Sequence, residues 1–262
     1  MKRLSALAAI LALALPASAR VKTEMVEYKQ GDVVLQGYIS YDESVTGRRP
    51  GIVVIHDWMG VTDDTRMRTE MLARLGYVAL AADIYGKGVR PKNNEEAQAE
   101  AGKFYKDRAL LRARGKAALD FLMSRPEVDP SQVAVMGYCF GGGASLELAM
   151  SGAPLKGVVT FHGSLPTGTP DDAKNIKGKV LILHGADDPF VKQSDVAAFT
   201  DEMRKAGVDW ELVQYSGAVH GFTVRRSGND PSKGMAYNPE ADRRSWQAMK
   251  DFFAEVFGGK EM

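Results

Sequence analysis

The run Gly51 Ile52 Val53 Val54 Ile55 constrains this chain most, because it has no polar side. A strand with one face in water alternates apolar and polar residues, whereas a continuous β-branched run belongs to a strand covered on both faces, as in a parallel sheet. Shorter runs of the same kind recur at residues 77–81, 133–137, 158–161 and 180–183, with a further strand at 210–215. Between them the apolar spacing changes to threes and fours, which predicts helices over 63–75, 95–105, 109–124 and 141–150. Two more helices carry Val196, Phe199, Met203 and Ala206, and Trp246, Met249, Phe253 and Phe257. Ahead of the first buried run, residues 24–41 read as a hairpin around Gly31 and Asp32. Strands alternating with helices imply an α/β fold, a mostly parallel sheet with helices on both faces. No linker or internal repeat divides it, so a single domain is expected.

The first residues are of a different kind. Lys2 and Arg3 precede an apolar run over 4–15 and then Pro16 Ala17 Ser18 Ala19. That is a secretory signal peptide with a cut after Ala19, and the run is short of the roughly 18 residues a membrane span needs. Residues 1–19 are therefore read as a leader, residues 20–262 as the mature domain, and the location as periplasmic or secreted. The leader takes 19 of 262 residues and leaves 243; losing Lys2 and Arg3 moves the formal charge from +1 to −1. A nearly neutral chain without basic runs has no electrostatic footprint for nucleic acid or a membrane surface, so the expected partner is a small molecule and the expected state a monomer. Cys139 is the single cysteine, so it forms no internal disulfide.

Cys139 stands in Gly137 Tyr138 Cys139 Phe140 Gly141 Gly142 Gly143, between a buried strand and an apolar helix. Small residues on both sides of a nucleophile allow the sharp strand-to-helix turn that lifts its side chain out of the sheet, and a helix N-terminus favours a thiolate. A thiol nucleophile needs a base and a group to orient that base. His220 lies in the glycine-bounded loop Ser216 Gly217 Ala218 Val219 His220 Gly221, whereas His162 and His184 end strands and read as structural. For the orienting acid, Asp187 and Asp188 compete in one loop, and spacing does not separate them. No zinc-ligand spacing and no glycine-rich phosphate cradle is found, so no metal and no cofactor is expected.

With these residues in place, the chain resembles the dienelactone hydrolase family of α/β-hydrolases over nearly all its mature length. The resemblance is carried by Ile55 His56 Asp57 Trp58 Met59 Gly60, Ala82 Asp83 Ile84 Tyr85, the Cys139 elbow, Asp188 Pro189 Phe190 Val191 and His220 Gly221 Phe222. It implies an α/β-hydrolase fold, a carboxymethylenebutenolidase-type activity on an ester or lactone, and a triad of Cys139, Asp188 and His220. It also implies an oxyanion hole from the backbone amides of Phe140 and Trp58, and a nucleophile-modulating role for Asp57. Asp57 is one methylene shorter than the glutamate of the best-known members, and the alternative reading is a loop aspartate capping a turn. Members that open dienelactone hold its carboxylate with two arginines. Here residues 91–107 contain no arginine and Val224 stands at the second position, which leaves Arg108 and Arg225 as candidates beside Arg90 and Arg226. An exported esterase of other specificity, or a thiol-based redox or binding protein, is the alternative function.

Overall fold

The computed structural model describes residues 19–167 and 170–258, so the expected leader, but for Ala19, lies outside the described residues. These residues form an eight-stranded sheet in the order β1-β2-β4-β3-β5-β6-β7-β8. The hairpin is β1 (Val21–Gln30) and β2 (Val33–Asp42), and β2 also pairs antiparallel with β4 (Val78–Ala82). From β4 onward every pairing is parallel: β3 (Arg49–Ile55), β5 (Val128–Tyr138), β6 (Gly157–Phe161), β7 (Lys179–Gly185) and β8 (Trp210–Tyr215). The single-sided hairpin therefore sits at one edge, and the runs without a polar face occupy the middle.

Alternate residues of β3 show why those runs have no polar face. Val53 and Ile55 join a core with α3 (Arg108–Met123), α4 (Phe140–Met150) and α6 (Gln193–Ala206), while Ile52 and Val54 join another with α1 (Asp63–Arg74) and α7 (Pro239–Val256). All four β3 side chains are completely buried, each side chain on the helix layer of its own face. Helix α2 (Asn94–Lys106) completes the first layer, with Phe104 buried, and α5 (Pro170–Ala173) is a short turn the sequence did not announce. Among the described residues no helix is long and apolar enough to cross a membrane.

The strand ends matter for function. Parallel β3, β5, β6 and β7 all point their carboxyl ends the same way, so the loops after them, beginning at His56, Cys139, His162 and Ala186, meet at one edge of the sheet. Ligands of open α/β sheets bind in this position.

Candidate active site

The turn between β5 and α4 is held by contact on every side. A Cβ on Gly137 would lie 2.0 Å from the Gly141 carbonyl oxygen, and a Cβ on Gly141 would lie 2.2 Å from the Ile55 carbonyl oxygen. Only glycine fits either place, and the close approach forces Cys139 into a left-handed backbone with φ 54° and ψ −113°. Such a conformation costs of order 1–3 kcal/mol in a non-glycine residue and persists only where the surroundings over-determine it. Here every residue of the 11-residue α4 is buried. The Cys139 amide donates to Phe161 at 3.0 Å, which ties the turn to β6.

The structure brings Cys139, His220 and Asp188 together. The sulfur lies 3.1 Å from His220 Nε2, and His220 Nδ1 lies 2.8 Å from Asp188 Oδ2. The other Asp188 oxygen accepts the Phe190 amide at 2.8 Å and the Val191 amide at 3.1 Å. Asp187, the competitor in the same loop, instead accepts the Gly217 amide at 3.0 Å on the surface. Burial works against an imidazolium at His220, but the Cys139 sulfur and the Asp188 carboxylate outweigh it and push its pKa up to about 10. Burial likewise raises Asp188, and the hydrogen bonds from His220 and the two amides outweigh that and hold it below the usual carboxylate range. His162 is buried, bonded through Nε2 to Thr223 Oγ1 at 2.7 Å, and held neutral by burial and by the His220 charge. His184 is also buried, and burial lowers its pKa although the nearby Asp188 charge opposes this.

Cys139 and His220 line a cavity of about 530 Å³. Trp58, Met59, Phe190 and Met235 supply its apolar wall, and Lys92, Lys233 and Arg226 its cations. Phe140 is completely buried, and its amide begins α4, where a helix leaves amides without intrahelical partners. Trp58 follows β3, and among the described residues no protein acceptor takes its amide.

The charged candidates fall in other places. Asp57 caps its own loop by accepting the Met59 amide at 2.8 Å, and its second oxygen binds Arg226, which also binds Asp64. It lines the cavity, but no contact joins it to the sulfur. Arg108 is elsewhere: it pairs with Glu147 at 2.7 Å and with Asp172 at 3.8 Å, and lines a separate 260 Å³ cleft. Glu147 is buried in α4 and needs a cation, which accounts for that placement. Arg225 lies over the Tyr237 ring at 5.5 Å and does not line the Cys139 cavity. Arg226, the neighbour, does. Lys92, Lys233 and Met235 were not singled out from the sequence; their loops reach the site only by folding, and no local motif marks them. Among the described residues, no group of three or more His, Cys, Asp or Glu side chains could hold a metal ion.

Comparison with known proteins adds three findings. The dienelactone hydrolase family profile matches residues 35–257. The chain is 30% identical over 237 residues to the protein usf of Aquifex pyrophilus, covering 88% of this chain and 98% of that one. The crystal structure of a dienelactone hydrolase-like promiscuous phosphotriesterase from metagenomic libraries superposes with a TM-score of 0.87 at 42% identity, covering 91% of this chain and 99% of the other. An acylaminoacyl peptidase of Pyrococcus horikoshii shares the fold alone, with a TM-score of 0.71 at 14% identity over 92% of this chain and 43% of that one.

Proposed function

Because the chain belongs to the dienelactone hydrolase family and has its α/β-hydrolase fold, we propose that it cleaves a carboxylic ester or lactone by acyl transfer to Cys139. The observation that carries this is the unbroken relay from sulfur to Nε2 at 3.1 Å and from Nδ1 to carboxylate at 2.8 Å, beside a cavity that can hold a small substrate.

In the first half-reaction the thiol proton resides on His220, steadied by Asp188, and the thiolate adds to the substrate carbonyl carbon. The carbonyl oxygen gains the negative charge and takes hydrogen bonds from the amides of Phe140 and Trp58, each worth about 3 kcal/mol in sites of this type. The tetrahedral adduct then expels the alkoxide, which leaves with the His220 proton as an alcohol. A thioester remains on Cys139. In the second half, water gives a proton to His220 and its hydroxyl to the acyl carbon, and the thiolate departs, freeing the acid. His220 alone takes and returns the proton in both halves, and the two amides only donate hydrogen bonds.

Export belongs to the same reading. Strand β1 begins at Val21, so cleavage after Ala19 removes nothing from the sheet. A neutral phosphotriester is the second substrate class, favoured by the 42% identical neighbour that acts on such compounds.

Steady-state hydrolysis of short aryl esters, simple lactones, dienelactone and an aryl phosphotriester by residues 20–262, beside Cys139→Ala, tests the proposal. Turnover that vanishes in the variant supports it, and the ranking identifies the substrate class. Turnover that survives Cys139→Ala refutes the triad. An inert wild type would favour the thiol-based redox or binding alternative.

A further inference from the structure

His56 is completely buried at the end of β3, and its two ring nitrogens have different partners. Nε2 accepts the Ile84 amide at 3.2 Å, so it carries no proton. The proton is then on Nδ1, which lies 2.5 Å from the Asp57 carbonyl oxygen and donates to it. One neutral tautomer satisfies both bonds, and burial pulls the pKa below its ordinary value, so the ring keeps that state through the neutral range.

The Asp57 carbonyl shares a planar peptide unit with the Trp58 amide, so whatever holds the oxygen also aims the N–H. Two donors hold it: His56 Nδ1 and the Gly60 amide at 3.2 Å. The next peptide is clamped as well, its carbonyl by the Tyr85 hydroxyl at 2.9 Å and its amide by Asp57 Oδ1 at 2.8 Å. The His56 ring also lies almost parallel to that of Phe140, with centroids 5.8 Å apart and 20° between planes. His56 thus contacts Phe140 and the peptide unit that carries the Trp58 amide, the two sources of donors in the scheme above. A donor on the peptide oxygen also polarises the unit and strengthens its N–H as a donor.

We propose that His56 is the positioning residue of the oxyanion hole, its Nδ1–H fixing the Asp57–Trp58 peptide so that the Trp58 amide is preset for the developing charge. This rests on the acyl-transfer reading, and on Trp58 as one of its two donors.

The test compares His56→Leu, which removes the donor at similar volume, with His56→Asn, whose side-chain amide retains an N–H near the Nδ1 position. Both lose the acceptor for Ile84, so their difference isolates the donor. Three quantities are read on an aryl ester: kcat, KM and the rate of Cys139 alkylation by iodoacetamide, which needs the thiolate but no oxyanion hole. Leu should lower kcat about 10- to 100-fold with KM within about 3-fold, and Asn should stay within about 5-fold of wild type, while alkylation changes less than about 2-fold in either. Full kcat in His56→Leu overturns the inference. So does an equal loss in both variants, or a loss of alkylation alongside kcat, since either would mark a packing role. Cys139→Ala run in parallel separates the layers: turnover surviving there overturns the triad itself, whereas turnover lost there but kept in His56→Leu overturns only the role of His56.

Discussion

Cys139 and His220 sit on different kinds of structure. Cys139 stands on a turn where the neighbouring Gly137 and Gly141 have backbone within 2.2 Å of any added carbon, and the helix behind it is buried throughout. His220 opens a stretch, 221–237, built of two short 3-10 turns, Arg225–Ser227 and Pro231–Lys233, with no residue of either turn buried. Phe222 anchors that stretch in the core, and the exposed part is held by polar ties: the Gly234 carbonyl takes the His220 amide at 3.2 Å, and Arg226 reaches Asp57 and Asp64. Packing on every side fixes the Cys139 turn, whereas the His220 stretch is packed at Phe222 and Ala236 and held by hydrogen bonds and ion pairs along its exposed part. The first arrangement tolerates no change in volume. The exposed part of the second depends instead on pH and salt.

The largest expected effect breaks the polar side without disturbing the packed one. Asp188→Asn keeps acceptors for the Phe190 and Val191 amides but loses the charge, and kcat should fall about 10⁴-fold with the fold retained, as steady-state kinetics and circular dichroism would register. Retained kcat would mean that the carboxylate does not orient His220. Gly141→Ala strikes the other side. With a Cβ 2.2 Å from backbone that has nowhere to go, stability should drop by about 3 kcal/mol or more in urea unfolding, or the protein should not fold. A loss of less than about 1 kcal/mol would show that the elbow can relax.

Charge at the base sharpens the contrast. The folded-state pKa of His220 is raised to about 10, so its imidazolium stabilises the fold fully below the ordinary value of 6.5 and that contribution is lost as pH rises towards 10. Asp188 has the opposite sign: its contribution is present above its ordinary 3.8 and is lost on acidification below that. The alkaline limb of kcat/KM should therefore lie near pH 10, and in Asp188→Asn it should move to lower pH. An unmoved limb would assign it to another group. The smallest effect is expected from Arg226→Gln, which leaves the buried Asp57 without its cation. Stability should fall by about 1 to 2 kcal/mol, and KM should change more than kcat, because Arg226 lines the cavity but touches no triad residue. A loss confined to kcat would instead tie Arg226 to the chemistry.

Much of this was legible before folding. The buried runs predicted the central strands, because a strand covered on both faces leaves a local compositional mark, and residues 210–215 coincide with β8, an edge strand in which only Tyr215 is buried. The elbow was legible because its glycines, Cys139 and the helix are neighbours in the chain. Residues 128–132, the early part of β5, carry Asp129 and Pro130 and gave no strand signal. Asp187 and Asp188 were inseparable by spacing because both occupy one turn, and the side of the turn each faces depends on where Gly217 and His220 arrive. The arginines were the least legible. Arg226 and Asp57 are 169 positions apart and Arg108 and Glu147 are 39 apart, and a charge carries no mark of the partner it will find.

By itself the sequence determined an α/β alternation and a cysteine on a glycine elbow between strand and helix, because each is written in residues adjacent along the chain. The tertiary structure set beside His220 the aspartate that the family resemblance implied, and it alone decided which arginine enters the cavity and which nitrogen of His56 holds the proton. Those outcomes rest on pairings between loops after different strands, and such pairings exist only once the sheet has brought the strand ends together.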